Sequence, residues 1–151
     1  MNTKLKNAIR IFLPLILGSL VAFIIKDYMD YSTYVKPFLS PPAIVFPIVW
    51  TILYLLMGIS YYLYRKEQDD QGITFLYYTQ LFVNLTWPIF FFRLKWWFFS
   101  ILWIILLFIL VLFYIKKMFD VRSKISAYLL IPYLLWIVIA TYLNIGIYLL
   151  N

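Results

Sequence analysis

The feature that limits this chain most is a succession of apolar runs at residues 8–25, 43–64, 73–92, 96–115 and 125–150, parted by short polar segments. Each is close to the ~20 residues a helix needs to cross a ~30 Å hydrocarbon layer. None alternates polar and apolar residues as the ~10-residue strands of a membrane barrel do. Only 13% of the 151 residues are charged and 66% are hydrophobic, whereas a soluble domain is about a quarter charged. Too little polar surface exists to cover a water-soluble core. The pattern predicts an all-α membrane protein, a five-transmembrane-helix bundle forming one domain over residues 1–151.

Lys4, Lys6 and Arg10 precede the first run, as in a secretory signal. Its apolar part is longer than the ~7–15 residues of a signal core, and no small-residue cleavage site follows, so a retained helix is expected. Five spans place Lys4, Lys6, Arg10, Arg65, Lys66, Lys116, Lys117, Arg122 and Lys124 on one side, against Lys26, Lys36, Arg93 and Lys95 on the other. Basic loops stay cytoplasmic. The expectation is an integral protein of a bacterial plasma membrane, with its N-terminus inside and its first loop and C-terminus outside. The formal charge of +7 is explained by these flanks. It forms no basic stripe of the kind that grips nucleic acid, so no nucleic-acid partner is expected.

Cysteine and histidine are both absent. That removes disulfides, thiolate chemistry, histidine acid–base catalysis and the usual zinc ligands. No metal site and no required cofactor are expected.

The polar groups inside the runs carry the next constraint, because such groups face a bundle interior or a cavity. In "QLFVNLTWPIFFF", Gln80, Asn84 and Trp87 join Tyr77 and Phe91 on one helical face. Trp50, Tyr54, Met57 and Tyr61 share a face of the second run, and Pro132, Trp136, Ala140 and Asn144 one of the fifth. Trp50, Asn84 and Ala140 lie about 10–15 Å from the outer ends of their runs at ~1.5 Å per residue. They converge beneath the long first loop, residues 26–42. A cavity walled by aromatics, opening toward that loop, is the functional reading; ordinary packing and amide bonds between helices are the structural one. Pro14, Pro47, Pro88 and Pro132 fall within or near the runs, where kinks make room for a ligand. Gly18 and Ala22 form a small-residue pair on the first run.

Three blocks resemble one family. "KPFLSPPAIVFPIVWTILYLLMG" (residues 36–58) is similar to its KPSW-x-PP segment and the P-x-W-x-x-LY-x-x-MG continuation. "QLFVNLTWPIFFF" is similar to QL-x-x-N-x-x-W-x-x-x-FF, and "IPYLLWIVIATYLN" (residues 131–144) to PY-x-x-W-x-x-x-AT-x-LN. Their order and spacing identify the chain as a member of the translocator protein family, also called tryptophan-rich sensory proteins or peripheral-type benzodiazepine receptors.

The resemblance implies a five-helix bundle, a homodimer, and a pocket under the first loop for protoporphyrin IX and for isoquinoline- or benzodiazepine-type ligands. Carried over by position, the pocket residues are Tyr31, Trp50, Tyr54, Asn84, Trp87, Trp136 and Ala140; the amide of Gln80 joins them from its helical face. Family tryptophans are replaced by Leu39, Ile44 and Leu85. Tyr148 is followed only by "LLN", so cholesterol recognition through a C-terminal motif is not expected. A receptor or sensor that stacks a metal-free porphyrin on indole and phenol rings fits these residues best. Two alternatives stand beside it. One is light-dependent porphyrin breakdown, with Trp50 and Trp136 as the oxidised partners. The other is transport of porphyrin or lipid.

Overall fold

The computed structural model describes residues 2–151. Helix α1 (Thr3–Ile25) leads through two 3₁₀ turns, Lys26–Tyr28 and Tyr31–Thr33, to α2 (Val45–Glu67). Helix α3 (Gln71–Pro88) runs into a π turn at Ile89–Arg93 and then α4 (Trp97–Asp120); a short α5 (Lys124–Leu129) and α6 (Ile131–Leu150) complete the chain. Asn2 caps α1 by accepting from the Lys4 amide at 2.9 Å, and Asp70 caps α3 by accepting from Ile73 at 3.0 Å. Each cap satisfies one of the amides a helix start leaves unpaired.

The long helices lie antiparallel in sequence order, and α6 runs parallel to α3. In cyclic order α1 packs on α2, α2 on α5, α6 on α4, α4 on α3, and α3 back on α1. Gly58 sits so close to the Ile11 carbonyl that a Cβ there would collide with it, and Gly18 lies under the Tyr54 ring. Glycine is what lets α1 and α2 approach backbone to backbone. Gly18 and Ala22 both face the interior of the bundle, where they line a cavity.

The apolar surplus faces outward. Leu5, Ile9, Phe12, Ile16, Leu20 and Phe23 form an exposed stripe on α1, and Phe98, Leu102, Ile105, Ile109 and Leu112 another on α4. In water such a belt would drive aggregation; in a bilayer it is the surface the lipid tails require. The segments Thr3–Tyr28, Val45–Glu67, Trp97–Asp120 and Lys124–Leu150 are each long and apolar enough to cross a membrane. Helix α3 is the exception by composition, because its inward face carries amides and hydroxyls.

Two expectations need correction. The prolines do not all kink helices: Pro47 and Pro132 stand in first turns, where a missing N–H is harmless, and only Pro14 and Pro88 lie inside helices. The last apolar run is also not one helix, since it breaks at Leu130 just before Pro132.

Substituting Gly58 with Ala forces α1 and α2 apart. It is expected to lower stability by about 1–3 kcal/mol, read as a fall in Tm of the detergent-solubilised protein.

Candidate functional site

Asn84 is 2% exposed, and both the oxygen and the nitrogen of its amide have partners. The Tyr54 hydroxyl donates to Asn84 Oδ1 at 2.7 Å, and Asn84 Nδ2 donates to the Tyr133 hydroxyl at 2.7 Å. Tyr133 in turn donates to Gln80 Oε1 at 2.8 Å, and Gln80 Nε2 donates to the Tyr77 carbonyl at 3.0 Å. Met57 Sδ lies 3.4 Å from the same nitrogen. A single directed chain of bonds thus joins α2, α3 and α6 in the dry centre. A second chain lies nearer the first loop: Trp87 Nε1 donates to Asn144 Oδ1 at 3.0 Å, and Asn144 Nδ2 to the Trp97 carbonyl at 3.1 Å.

Above the first chain is a cavity of about 170 Å³. Its walls come from every long helix except α4. Gly18, Val21 and Ala22 of α1 face Trp50 and Tyr54 of α2; Asn84, Trp87 and Phe91 come from α3 and its π turn, and Trp136 and Ala140 from α6. Met29 and Tyr31 of the first loop also line it. The aromatic walls are set edge to face: Trp50 and Trp136 have centroids 6.5 Å apart at 88°, and Phe46 and Trp136 5.7 Å apart at 67°. This geometry suits the ring quadrupoles. The Trp136 indole N–H is buried and has no partner within the chain.

Of the residues singled out from sequence, Tyr31, Trp50, Tyr54, Asn84, Trp87, Trp136 and Ala140 line this one cavity. Gln80 does not. Its side chain is spent on Tyr133, Met57 and the Tyr77 carbonyl, and it holds helices together below the floor. Tyr133 was missed by sequence reasoning, although the PY pair of the third block contains it. It is fully buried and bridges both amides. The positions that depart from the family pattern leave the cavity wall intact. Leu39 and Ile44 are 80% and 67% exposed, and Leu85 packs into the core away from the lining.

The first loop is strapped down at several points. Asp30 pairs with Lys95 Nζ at 2.9 Å, and the Tyr34 hydroxyl donates to the same carboxylate. Lys36 Nζ reaches the carbonyls of Tyr31 and Tyr34 at 3.2 and 3.1 Å, and the Tyr31 hydroxyl donates to the Pro41 carbonyl at 3.0 Å. From α6, Tyr142 donates to the Phe38 carbonyl at 2.5 Å, and the Asn151 amide brackets the Val35 backbone. Gly146 leaves room for Pro37. Lys95 reaches Asp30 from a left-handed turn, φ 53°, that ends the π segment.

Among the described residues no group of three or more His, Cys, Asp or Glu side chains gathers to hold a metal ion. An all-helical integral membrane protein with a lidded aromatic cavity is the class that this fold and site define. A family model for the TspO/MBR family matches residues 10–150, and the chain belongs to that family. It is 40% identical over 123 residues to the tryptophan-rich protein TspO of Archaeoglobus fulgidus, covering 80% of this chain and 79% of that one. It is 32% identical over 144 residues to a translocator protein homolog of Schizosaccharomyces pombe (91% and 87% covered). Against a tryptophan-rich sensory protein of Cereibacter sphaeroides the identity is 31% over 115 residues (76% and 72% covered).

Two expectations follow for the network and the strap. Tyr133→Phe leaves Asn84 Nδ2 and Gln80 Oε1 buried and unpaired, which should cost about 1–3 kcal/mol in detergent unfolding. At the strap, burial works against the Asp30 charge, but the Tyr34 and Lys95 bonds outweigh it and hold its pKa below the usual 3.8. The stabilisation is therefore present above pH 3.8 and lost as pH falls through the lowered value. Lys95 is held above its usual 10.5, so its share is lost only as pH rises through that raised value. Hydrogen exchange of residues 30–36, corrected for intrinsic rates, should thus stay flat through neutral pH and rise only at those extremes.

Proposed function

We propose that this protein is a five-span membrane receptor that binds flat aromatic ligands, tetrapyrroles such as protoporphyrin IX above all, beneath its first loop. The fifth span is α3. At 18 residues it is about 27 Å long, and the π turn extends it to match its neighbours. The distribution of basic loops supports an N-terminus in the cytoplasm and the first loop outside.

The observation that carries the binding reading is the convergence of Trp50, Tyr54, Trp87 and Trp136 on one apolar cavity. Indole and phenol faces stack on a macrocycle or an isoquinoline equally well. The polar anchor differs from the one the sequence points to. Asn84 and Gln80 are committed to the helix network, whereas the Trp136 N–H is a buried donor without a partner. It would bond a ligand carbonyl, carboxylate or ring nitrogen. The family resemblance supplies the ligand class.

The cavity of about 170 Å³ is smaller than the ~300–1,000 Å³ of ordinary ligand pockets. A tetrapyrrole therefore requires the Asp30–Lys95 strap to release and the loop to lift. Ligand association is gated by the loop rather than by diffusion.

Protoporphyrin IX titrated into the detergent-solubilised protein, read by the Soret shift, tests this. The Trp50→Phe, Trp136→Phe double variant should bind about tenfold more weakly. Lys95→Ala should speed association. Wild-type affinity in the double variant would sink the assignment. A new absorbing product formed in step with illumination, absent from free porphyrin in detergent, would instead favour photochemical breakdown.

A further inference from the structure

At the other end of the bundle, where α1 and α3 begin and α2 ends, lies a second cleft of about 400 Å³. Unlike the aromatic cavity it is polar. Arg10 of α1, Tyr61 and Arg65 of α2, and Thr74 and Tyr78 of α3 line it, with Asp69 at its edge. Arg65 is paired through one terminal nitrogen with Asp69, whose side chain is 78% exposed and free to swing outward. Arg10 forms no ion pair among the described residues.

Arg65 Nε and Thr74 Oγ1, on two residues that line this cleft, are buried with no hydrogen bond within the chain, Thr74 Oγ1 lying beside the Tyr64 hydroxyl. Both can donate. Leaving a buried donor unmet costs about 1–3 kcal/mol, and an oxygen acceptor relieves it where a cation cannot. Two guanidinium groups against one carboxylate leave the cleft positive. A guanidinium presents its donors as a planar fork that matches the oxygens of a phosphate. The exposed apolar side chains of Ile9 and Phe75 stand next in sequence to Arg10 and Thr74, so an acyl chain leaving the cleft meets a greasy surface.

We propose that this cleft is a binding site for a phosphate group, clasped between Arg10 and Arg65 with the Thr74 hydroxyl as a further donor. The phosphate of an anionic lipid headgroup and that of a free phosphate offer the same oxygens. The cleft sits at the end that carries the basic loops, where a headgroup of that leaflet lies level with it. Asp69 is the competitor that an arriving phosphate displaces from Arg65.

The test uses the full chain in an uncharged detergent and has two arms. In one, phosphatidylglycerol is added and bound lipid is counted by native mass spectrometry, with phosphatidylcholine as reference. In the other, inorganic phosphate is titrated and followed by ³¹P line broadening. Saturable retention of phosphatidylglycerol alone assigns a lipid headgroup; saturable binding of inorganic phosphate as well assigns the phosphate group irrespective of source. Arg10→Gln and Arg65→Gln should each weaken binding about tenfold, Arg65→Lys less, and Asp69→Asn should tighten it. If Arg65→Gln fails to fold, Arg10→Gln and Asp69→Asn carry the comparison. The control is Lys116→Gln with Lys124→Gln, which removes charge from the same end outside the cleft. The proposal is overturned if neither arm saturates, if Arg10→Gln and Asp69→Asn bind as wild type does, or if the control loses as much as the arginine variants.

Discussion

Burying an amide in hydrocarbon is tolerable only when both its oxygen and its nitrogen are satisfied, and that rule organises this protein. Asn84 and Gln80 are buried, so they find phenols and sulfur on neighbouring helices, and Gln80 also the Tyr77 carbonyl of its own helix. The requirement is directional. Tyr54 must donate, Asn84 must relay, and Tyr133 must accept on one side and donate on the other. A greasy bundle could rotate or slide its helices at little cost, since lipid is as apolar as leucine. The phenol–amide chain fixes one register among α2, α3 and α6, and through that register it sets the positions of Trp50, Trp87 and Trp136 around the cavity.

The division of labour between the two ends follows from the same frame. Toward the first loop, the amides and phenols are consumed by structure, so the cavity is left with aromatic faces and a buried, unpaired indole donor at Trp136. Toward the N-terminus, guanidinium groups and hydroxyls exceed what the chain itself can satisfy. One end is thus an aromatic, largely apolar cavity and the other a polar cleft with an excess of guanidinium charge. The loop above the cavity is held by charge and backbone bonds and by Tyr31 and Tyr34, which are buried against Phe46, Phe91 and Trp97, while Phe38 and Leu39 stay outside.

Much of this was legible in the sequence, because helical spacing is a strong signal when the polar residues are few. The faces carrying Trp50 and Tyr54, Asn84 and Trp87, and Trp136 and Ala140 were read correctly as converging, since any intramembrane polar group has to turn inward. What spacing leaves undecided is how a group spends its hydrogen bonds. Gln80 sits on the same face as Asn84, one turn away, yet that turn separates the cavity wall from the layer beneath it. Tyr133 escaped notice because a tyrosine near a helix start looks like an interfacial anchor. The Asn151 clamp and the Asp30–Lys95 pair join residues remote in sequence, and no local pattern announces them. The π turn after Pro88 and the break at Leu130 shifted boundaries by a few residues, as backbone irregularities at prolines do.

Helix α3 carries a consequence for how the protein is made. It is the segment least suited to enter lipid unaided, because its inward face bears Gln80, Asn84 and several hydroxyls. Asn84 takes its side-chain partners from α2 before it and α6 after it, and Gln80 takes its phenol partner from α6. A chain halted before α6 would lack the Tyr133 hydroxyl, and Asn84 Nδ2 and Gln80 Oε1 would be left buried in an apolar layer without that partner.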